Sequence, residues 1–372
     1  MKARICRAVL ALLAIGLVTA TLVPLVHTDQ WWIRVFDFPR IQIVCLILAA
    51  LAGYIALFFW RRLYTWEWAL VAATGAAFVW QGSLIAPYTS LYPRQLPVST
   101  EKDDSGRISL LIYNVRFDND RIDPLLDLID EKDPDVILLT EPTPWWQDQL
   151  KGLTEDYPHT IEKPQDNHYG MLLYSRLELE NPEVRFLVEP AVPSIRTQVK
   201  LRSGTTVTLY GVHPRPPGLK PPDKGEGTEG SDEREDSDVR DAELMLVARE
   251  VKEIGEIPVI VAGDFNDVAW SGTTRLFQRV GGLLDPRIGR GLYNTFDTSN
   301  WLFRYPLDYA FASRHFRVAQ LERLPDIGSD HFPIFAVFDY APGAELEEKV
   351  PEPDQEDWEE VDESIHEGRT ED

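Results

Sequence analysis

Cysteine is nearly absent from this chain. Of 372 residues only 2 are cysteine, Cys6 and Cys45, and both lie in apolar runs near the N-terminus. From residue 46 onward there is none, which excludes a disulfide framework and remains compatible with an oxidising compartment. The same shortage, with only 7 histidines, argues against a structural zinc site. Basic side chains are the second shortage. Against 60 Asp and Glu stand 37 Lys and Arg, for a net charge of −23. A chain that gripped nucleic acid through phosphate contacts would favour the opposite balance. The acidity is uneven, since residues 341–372 alone hold 14 acidic and 2 basic side chains.

Long apolar runs, by contrast, crowd one end. Residues 8–26, 41–60 and 68–86 are uncharged and nearly all apolar, each close to the ~20 residues that cross ~30 Å of hydrocarbon. One such run could be a cleaved signal. Three in succession read as three membrane helices that make a lipid bilayer the first partner. Trp31, Trp32, Trp60, Tyr64 and Trp66 fall at the run ends, where amphipathic rings settle. Lys2, Arg4 and Arg7 precede the first run, and Arg61 with Arg62 separates the second from the third. In the loop between the first two, Arg34 and Arg40 are offset by Asp29 and Asp37. Positive charge on the cytoplasmic side then puts everything after residue 86 on the extracytoplasmic face of an inner or plasma membrane.

Residues 87–107, rich in Pro, Ser and charge, read as a linker. A mixed domain is expected over 108–340. Its strands are predicted at 108–115, 135–141, 169–175, 196–201, 205–213, 257–262, 307–313 and 332–340, and its helices at 123–132, 240–254 and 273–280. Many strands follow one another with no helix between them. That favours two layered sheets with outer helices over a simple alternating parallel sheet. Residues 217–239 and 341–372 are acid-rich with little to bury, and are expected to be a disordered insert and a disordered tail.

The chemistry lies at the strand ends. Asn114 follows one apolar run, Glu141 ends the next and His213 ends TTVTLYGVH. Asp264 and Asn266 follow IPVIVA in GDFND, Asp308 lies in LDYAFAS, and Asp330 and His331 lie in GSDHFP. Singly, each has a plain structural explanation, because Gly, Asp and Asn are common turn residues and a lone His is more often packed than catalytic. Together they suit attack on a phosphate ester. Glu141, Asp330 and Asn114 offer the oxygen ligands that hard Mg²⁺ prefers, with Mn²⁺ as a substitute. His213, His331 and the Asp264–Asn266 pair supply proton handling, water positioning and anion stabilisation. No Ser or Cys accompanies them, so water is the expected nucleophile. Arg116 and Arg196 are candidate substrate contacts, with Arg121, Arg176, Arg215, Arg304 and several tryptophans near other loop ends.

The strings LLIYNV, LLTE, GVHPRPP, VAGDFND, LDYAFAS and GSDHFPI, in this order, resemble the endonuclease/exonuclease/phosphatase superfamily with its deoxyribonuclease-I-like fold. Three membrane helices ahead of such a domain also resemble a group of bacterial membrane-associated members. The resemblance implies an α+β, four-layer α/β/β/α sandwich and Mg²⁺-dependent phosphoester cleavage. It implies metal binding at Glu141, with Asn114 beside the metal and Asp330 supporting it or its waters. Asp264 and Asn266 match the pair that positions water and phosphate, and His331 the terminal histidine that Asp308 orients. His213 matches a histidine that some nuclease members add, but residues 168–176 offer no glutamate to back it. A phosphodiesterase or nuclease is the leading expectation, and a phospholipid or inositol-phosphate phosphoesterase the alternative. A non-catalytic receptor or scaffold is the reading of another class, and the completeness of the polar set weighs against it. Nothing in the sequence identifies a protein partner.

Overall fold

The computed structural model describes all residues except 27, 101–102, 219–235, 344–351 and 371–372. Most of the predicted acidic insert, and the start of the acidic tail, therefore lie outside the described residues.

Helices α1 (Lys2–Leu22), α3 (Arg40–Trp60) and α4 (Thr65–Ile85) are long and apolar enough to cross a membrane, and a short α2 (Trp31–Arg34) lies between the first two. They pack through Leu17, Ile43, Ile47, Ala50 and Ala77. Their buried charged side chains are paired. Glu67 meets Arg7, and Arg40 meets Asp37 while donating to Gln81 at 3.0 Å. Such pairing is needed where no water can satisfy a charge.

The stretch predicted as a linker is irregular but pinned, which corrects that expectation. Leu96 is fully buried in the core. Tyr88 Oη donates to Ala269 O at 2.6 Å, and Ser99 N donates to Val318 O at 2.8 Å. Polar composition hid two apolar anchors.

The domain is a sandwich of two mixed sheets. The first holds β1 (Arg107–Asn114), β2 (Val136–Thr140), β3 (His159–Lys163), β4 (Met171–Ser175), β10 (Phe316–Arg323) and β11 (Ile334–Tyr340), in the order β10-β11-β1-β2-β4-β3. The second runs β5-β6-β7-β8-β9, formed by Leu179–Arg185, Ser194–Lys200, Thr206–Val212, Val259–Asp264 and Asp308–Ala312. Within each sheet one pair is parallel, β1 with β2 and β7 with β8.

Side-chain alternation divides each central strand between two cores. Leu110, Ile112, Val136, Leu138, Leu209, Ile260 and Ala262 point between the sheets. Leu111, Tyr113, Ile137 and Leu139 point outward onto α5 (Asp123–Lys132) and α6 (Pro144–Gln149). Tyr210, Val259 and Val261 point outward onto α7 (Asp238–Glu253) and α8 (Gly272–Gly281). That is the four-layer sandwich.

The acidic tail is not disordered throughout. Residues Gln355–Thr370 form α9, which corrects the sequence expectation. Val361 and Ile365, with Trp358, lie on one helical stripe and join the core beside α7. The outer charges find partners in Arg249 and Arg279. Burying a side chain such as Val361 is worth about 1.5–3 kcal/mol, enough for a few apolar residues to order an otherwise acidic stretch.

Candidate active site

The site follows from the same alternation. Asn114 continues the inward series Leu110–Ile112. His213 continues Val207–Leu209, Asp264 continues Ile260–Ala262, and Asp308 precedes Ala310–Ala312. Because β1 and β2, and likewise β7 and β8, run parallel, all these series end at one end of the sandwich. The register pairs Asp264 directly with Asp308. There the apolar core stops and a polar floor replaces it, outside the carboxyl ends of parallel strands.

Asn114 ties the two sheets together. Its Nδ2 donates to Glu141 Oε1 at 2.9 Å and to Asp264 Oδ2 at 3.1 Å, while its Oδ1 accepts from Arg116 N at 2.9 Å. Asn114 thus bridges two carboxylates, and one lone pair of its oxygen is engaged by Arg116 N.

Glu141 would face outward by simple alternation. A left-handed backbone (φ 62°) turns it into the site, and Arg116, Asn266 and His168 around it also have positive φ. Such conformations are uncommon for residues other than glycine and gather at functional sites. Glycines accommodate the neighbouring chain. A Cβ on Gly170 would sit 1.9 Å from Pro142 O, and one on Gly263 (φ 136°) 2.0 Å from Val212 O.

The electrostatics divide by cause. Burial alone would raise Glu141, but hydrogen bonding to His168, the charge of His213 and the Asn114 amide outweigh it and hold the carboxyl at about 2. Burial pushes Asp264 and Asp330 up from the ordinary carboxylate range. Burial alone would lower His331, yet the carboxylates of Asp308 and Asp264 lift it to about 10, leaving an imidazolium at neutral pH. His331 Nδ1 lies 2.7 Å from Asp308 Oδ2, and its Nε2 3.6 Å from Asp264 Oδ2. His213 Nε2 lies 3.8 Å from Asp264 Oδ2 and 4.0 Å from Glu141 Oε1. Among the described residues its buried Nδ1 has no hydrogen-bond partner, in keeping with the missing glutamate.

The loop after β8 is held from behind. Asn266 N donates to Asp264 Oδ1 at 2.9 Å, and Asn266 Nδ2 donates to Pro214 O at 3.0 Å. The fully buried Arg240 donates to Asn266 O at 3.1 Å, with Asp241 at 2.7 Å and Asp267 at 3.7 Å. Asp330 borders the floor and accepts from Ser329 Oγ at 3.1 Å. Arg116 stands at the rim, paired with Asp118.

Arg196 is not at the site. Alternation puts it on the outer face of β6, where Glu250 of α7 takes its guanidinium at 3.0 Å, so the expected substrate contact is withdrawn. Sequence reasoning missed His168, 3.5 Å from Glu141 Oε2 and with its ring 3.7 Å from that of Phe117. It missed Ser329 and Thr295 as well, the latter accepting from Asp308 N at 3.2 Å. A histidine between Asn167 and Tyr169, just before a strand, was the only signal for the first.

Asp264, Asp308 and His331 offer ligand atoms within 4.8 Å of one another. The Nδ1 of His331 already serves Asp308 at 2.7 Å, and Asp264 faces its Nε2 at ion-pair distance, 3.6 Å. The site's remaining carboxylates, Glu141 and Asp330, have the all-oxygen chemistry of a hard cation site. Asp308 Oδ1 is buried with no hydrogen-bond partner among the described residues, so the floor carries more negative charge than its own donors satisfy.

Residues 111–331 match the family described as Endonuclease/Exonuclease/phosphatase. The match spans more than half the chain, and the protein belongs to that family, whose members are phosphoester hydrolases of nuclease and phosphatase type. No curated protein matches the chain at a significant level. Among solved structures, D. rerio TDP2 complexed with a single-strand DNA product is similar over 63% of this chain and 99% of that one, at 19% identity and TM-score 0.47. The human Nocturnin catalytic domain with bound sulfate is similar over 63% and 95%, at 18% identity and TM-score 0.49. A family protein from Bacteroides thetaiotaomicron gives 63% and 98%, at 18% identity and TM-score 0.49. These likenesses concern the fold.

Proposed function

We propose that the protein is a membrane-anchored, Mg²⁺-dependent phosphoester hydrolase, a phosphodiesterase in which water is the nucleophile, working on the extracytoplasmic side of the membrane. One observation carries this reading. The inward-facing series of four strands, drawn from both sheets, end together in Asn114, His213, Asp264 and Asp308. Glu141 and Asp330 are the residues that would hold Mg²⁺ or Mn²⁺, and such an ion polarises a phosphoryl oxygen and offsets developing charge.

The protein's own groups divide the remaining work. Asp264, raised by burial, orients the attacking water and receives its proton. Asn114 keeps Asp264 and Glu141 in register without competing for that proton. The His331 imidazolium, fixed by Asp308, donates to a phosphoryl oxygen as negative charge builds. His213 Nε2 faces the same space from β7 and is placed to donate to the second side of the phosphate. Arg116 screens the entering anion at the rim.

The test is hydrolysis of a soluble phosphodiester in Mg²⁺ by the full-length protein and by Glu141→Ala, Asp264→Ala and His331→Ala. Each variant should lose activity, and full activity in all three would end the mechanism. For orientation, an export-dependent reporter fused after residue 340 should be active, whereas activity only from a cytoplasm-dependent reporter would reverse it.

A further inference from the structure

The segment between Thr295 and Tyr305 bulges out of the sandwich beside the site. At its tip Trp301, Leu302 and Phe303 are 79%, 48% and 45% exposed. Three consecutive large apolar side chains facing outward are unfavourable in water and mark a contact surface.

Two sets of contacts locate that surface. On one side the segment is fastened to the residues that carry the chemistry. Thr298 N donates to Asp330 O at 2.9 Å, and Thr298 Oγ1 donates to Ser329 O at 2.8 Å. Phe296 bridges His331. On the other side it is fastened to the membrane helices. Gln42, in the first turn of α3, donates to Leu302 O, and Phe38 meets Tyr305 edge-on at 5.3 Å. The first turn of α3 opens a candidate membrane span. The apolar tip therefore lies beside the first turn of that candidate span. Trp32 in α2 and Val35 in the turn after it, also exposed, lie just ahead of α3 in the chain. Two cations flank the residue next to His331. The guanidinium groups of Arg304 and Arg323 lie 4.8 and 4.4 Å from the ring of Phe332, the residue after His331.

We propose that Trp301, Leu302 and Phe303 form a wedge seated in the headgroup–acyl boundary of the bilayer that carries the three helices, and that the site beside it acts on a phosphate ester of a lipid headgroup. Aromatic and apolar side chains suit that depth, and flanking arginines suit an anionic headgroup. The substrate half rests on the hydrolase reading above. The docking half rests only on the wedge and its tie to α3.

The experiment uses the full-length protein in vesicles of equal parts phosphatidylcholine and phosphatidylglycerol. In a Cys6→Ser, Cys45→Ser background, Leu302→Cys carries a polarity-sensitive fluorophore, and Asp148→Cys on α6 is the aqueous control. The Leu302 probe should be blue-shifted and quenched by lipids bearing a shallow nitroxide, whereas the Asp148 probe should be quenched by iodide. Iodide quenching equal at both positions overturns the wedge. In parallel, a Trp301→Ser, Leu302→Ser, Phe303→Ser variant is assayed with Mg²⁺ on the vesicle lipids, on single-stranded DNA and on a soluble phosphodiester. Vesicle-lipid hydrolysis should fall about tenfold or more with the soluble diester unchanged. Equal loss on both, or a wild type that cuts only DNA, overturns the lipid substrate. A buried probe with no hydrolysis of any substrate sinks the hydrolase reading and leaves the wedge standing.

Discussion

The two halves of the site are built differently. On the second sheet, Asp264 and Asn266 rest on a buried frame. Arg240 links Asp241, Asp267 and the Asn266 carbonyl, and Asp267 in turn accepts from Ser271 Oγ at 2.5 Å and, through its carbonyl, from Tyr309 Oη at 2.9 Å. On the first sheet, Glu141, Arg116 and His168 stand in left-handed backbone, and His168 and Arg116 are partly exposed. The difference teaches a division of labour. On the proposed reading, the groups that would hold a water are braced from behind, whereas those that would receive ions and anions have an open approach.

The largest expected effect tests the rigid half. Asp264→Asn should lower kcat/KM on a phosphodiester by roughly 10²–10⁴-fold, with no recovery on adding Mg²⁺. Glu141→Gln should recover part of its loss as Mg²⁺ is raised. Identical responses to Mg²⁺ in both variants would erase the distinction between the halves.

Next comes the frame. Arg240→Met leaves Asp241 and Asp267 buried without their cation and should cost about 3–5 kcal/mol, read as a fall in the thermal midpoint in detergent micelles. At the rim, Arg116→Met should change stability by less than about 0.5 kcal/mol. Equal losses would show that the open half is as tightly framed as the other.

A smaller effect is expected in the pH profile. His331 titrates at about 10, above its ordinary ~6.5. A raised histidine contributes stability that is complete below the ordinary value and is lost as pH rises through about 10. Its donating form should therefore persist in the wild type to about pH 9. In Asp308→Asn the activity should already decline above about pH 7, by about tenfold at pH 9. An alkaline limb that does not move would separate His331 from the donor role.

The smallest prediction concerns burial without pairing on the framed side. Glu243 of α7 is buried, its Oε1 has no hydrogen-bond partner among the described residues, and burial raises its carboxyl to about 8, with Glu189 adding to the effect. A raised carboxyl costs stability as pH climbs from the ordinary ~4.3 through about 8. Glu243→Gln should thus be near neutral at pH 5 and stabilise by about 1 kcal/mol or more at pH 8.5. A gain of equal size at both pH values would assign the effect to packing.

The sequence showed these features unequally. Central strands were legible because their apolar runs serve two cores, as in residues 108–114 and 257–264. The strands that escaped notice are β3, β5 and β10, all at sheet edges. Their outer faces meet water, so β5 carries Glu180, Asn181 and Glu183 and shows no apolar run. Most site residues were visible because strand ends are where polarity interrupts an apolar series. One assignment failed because residue type does not state direction. Arg196 points to the opposite face from its neighbour Ile195. The Arg240 frame was invisible because it joins residues far apart in sequence, and α9 because three apolar residues are diluted among acids.

The central claim is that the strand-end cluster directs water at phosphorus. Its most direct test is a single turnover of a soluble phosphodiester by the full-length protein with Mg²⁺ in ¹⁸O-labelled water. The account predicts one ¹⁸O in the released phosphomonoester, with no turnover by Asp264→Asn. Unlabelled product from the first turnover, or labelled product at the wild-type rate from Asp264→Asn, would contradict it.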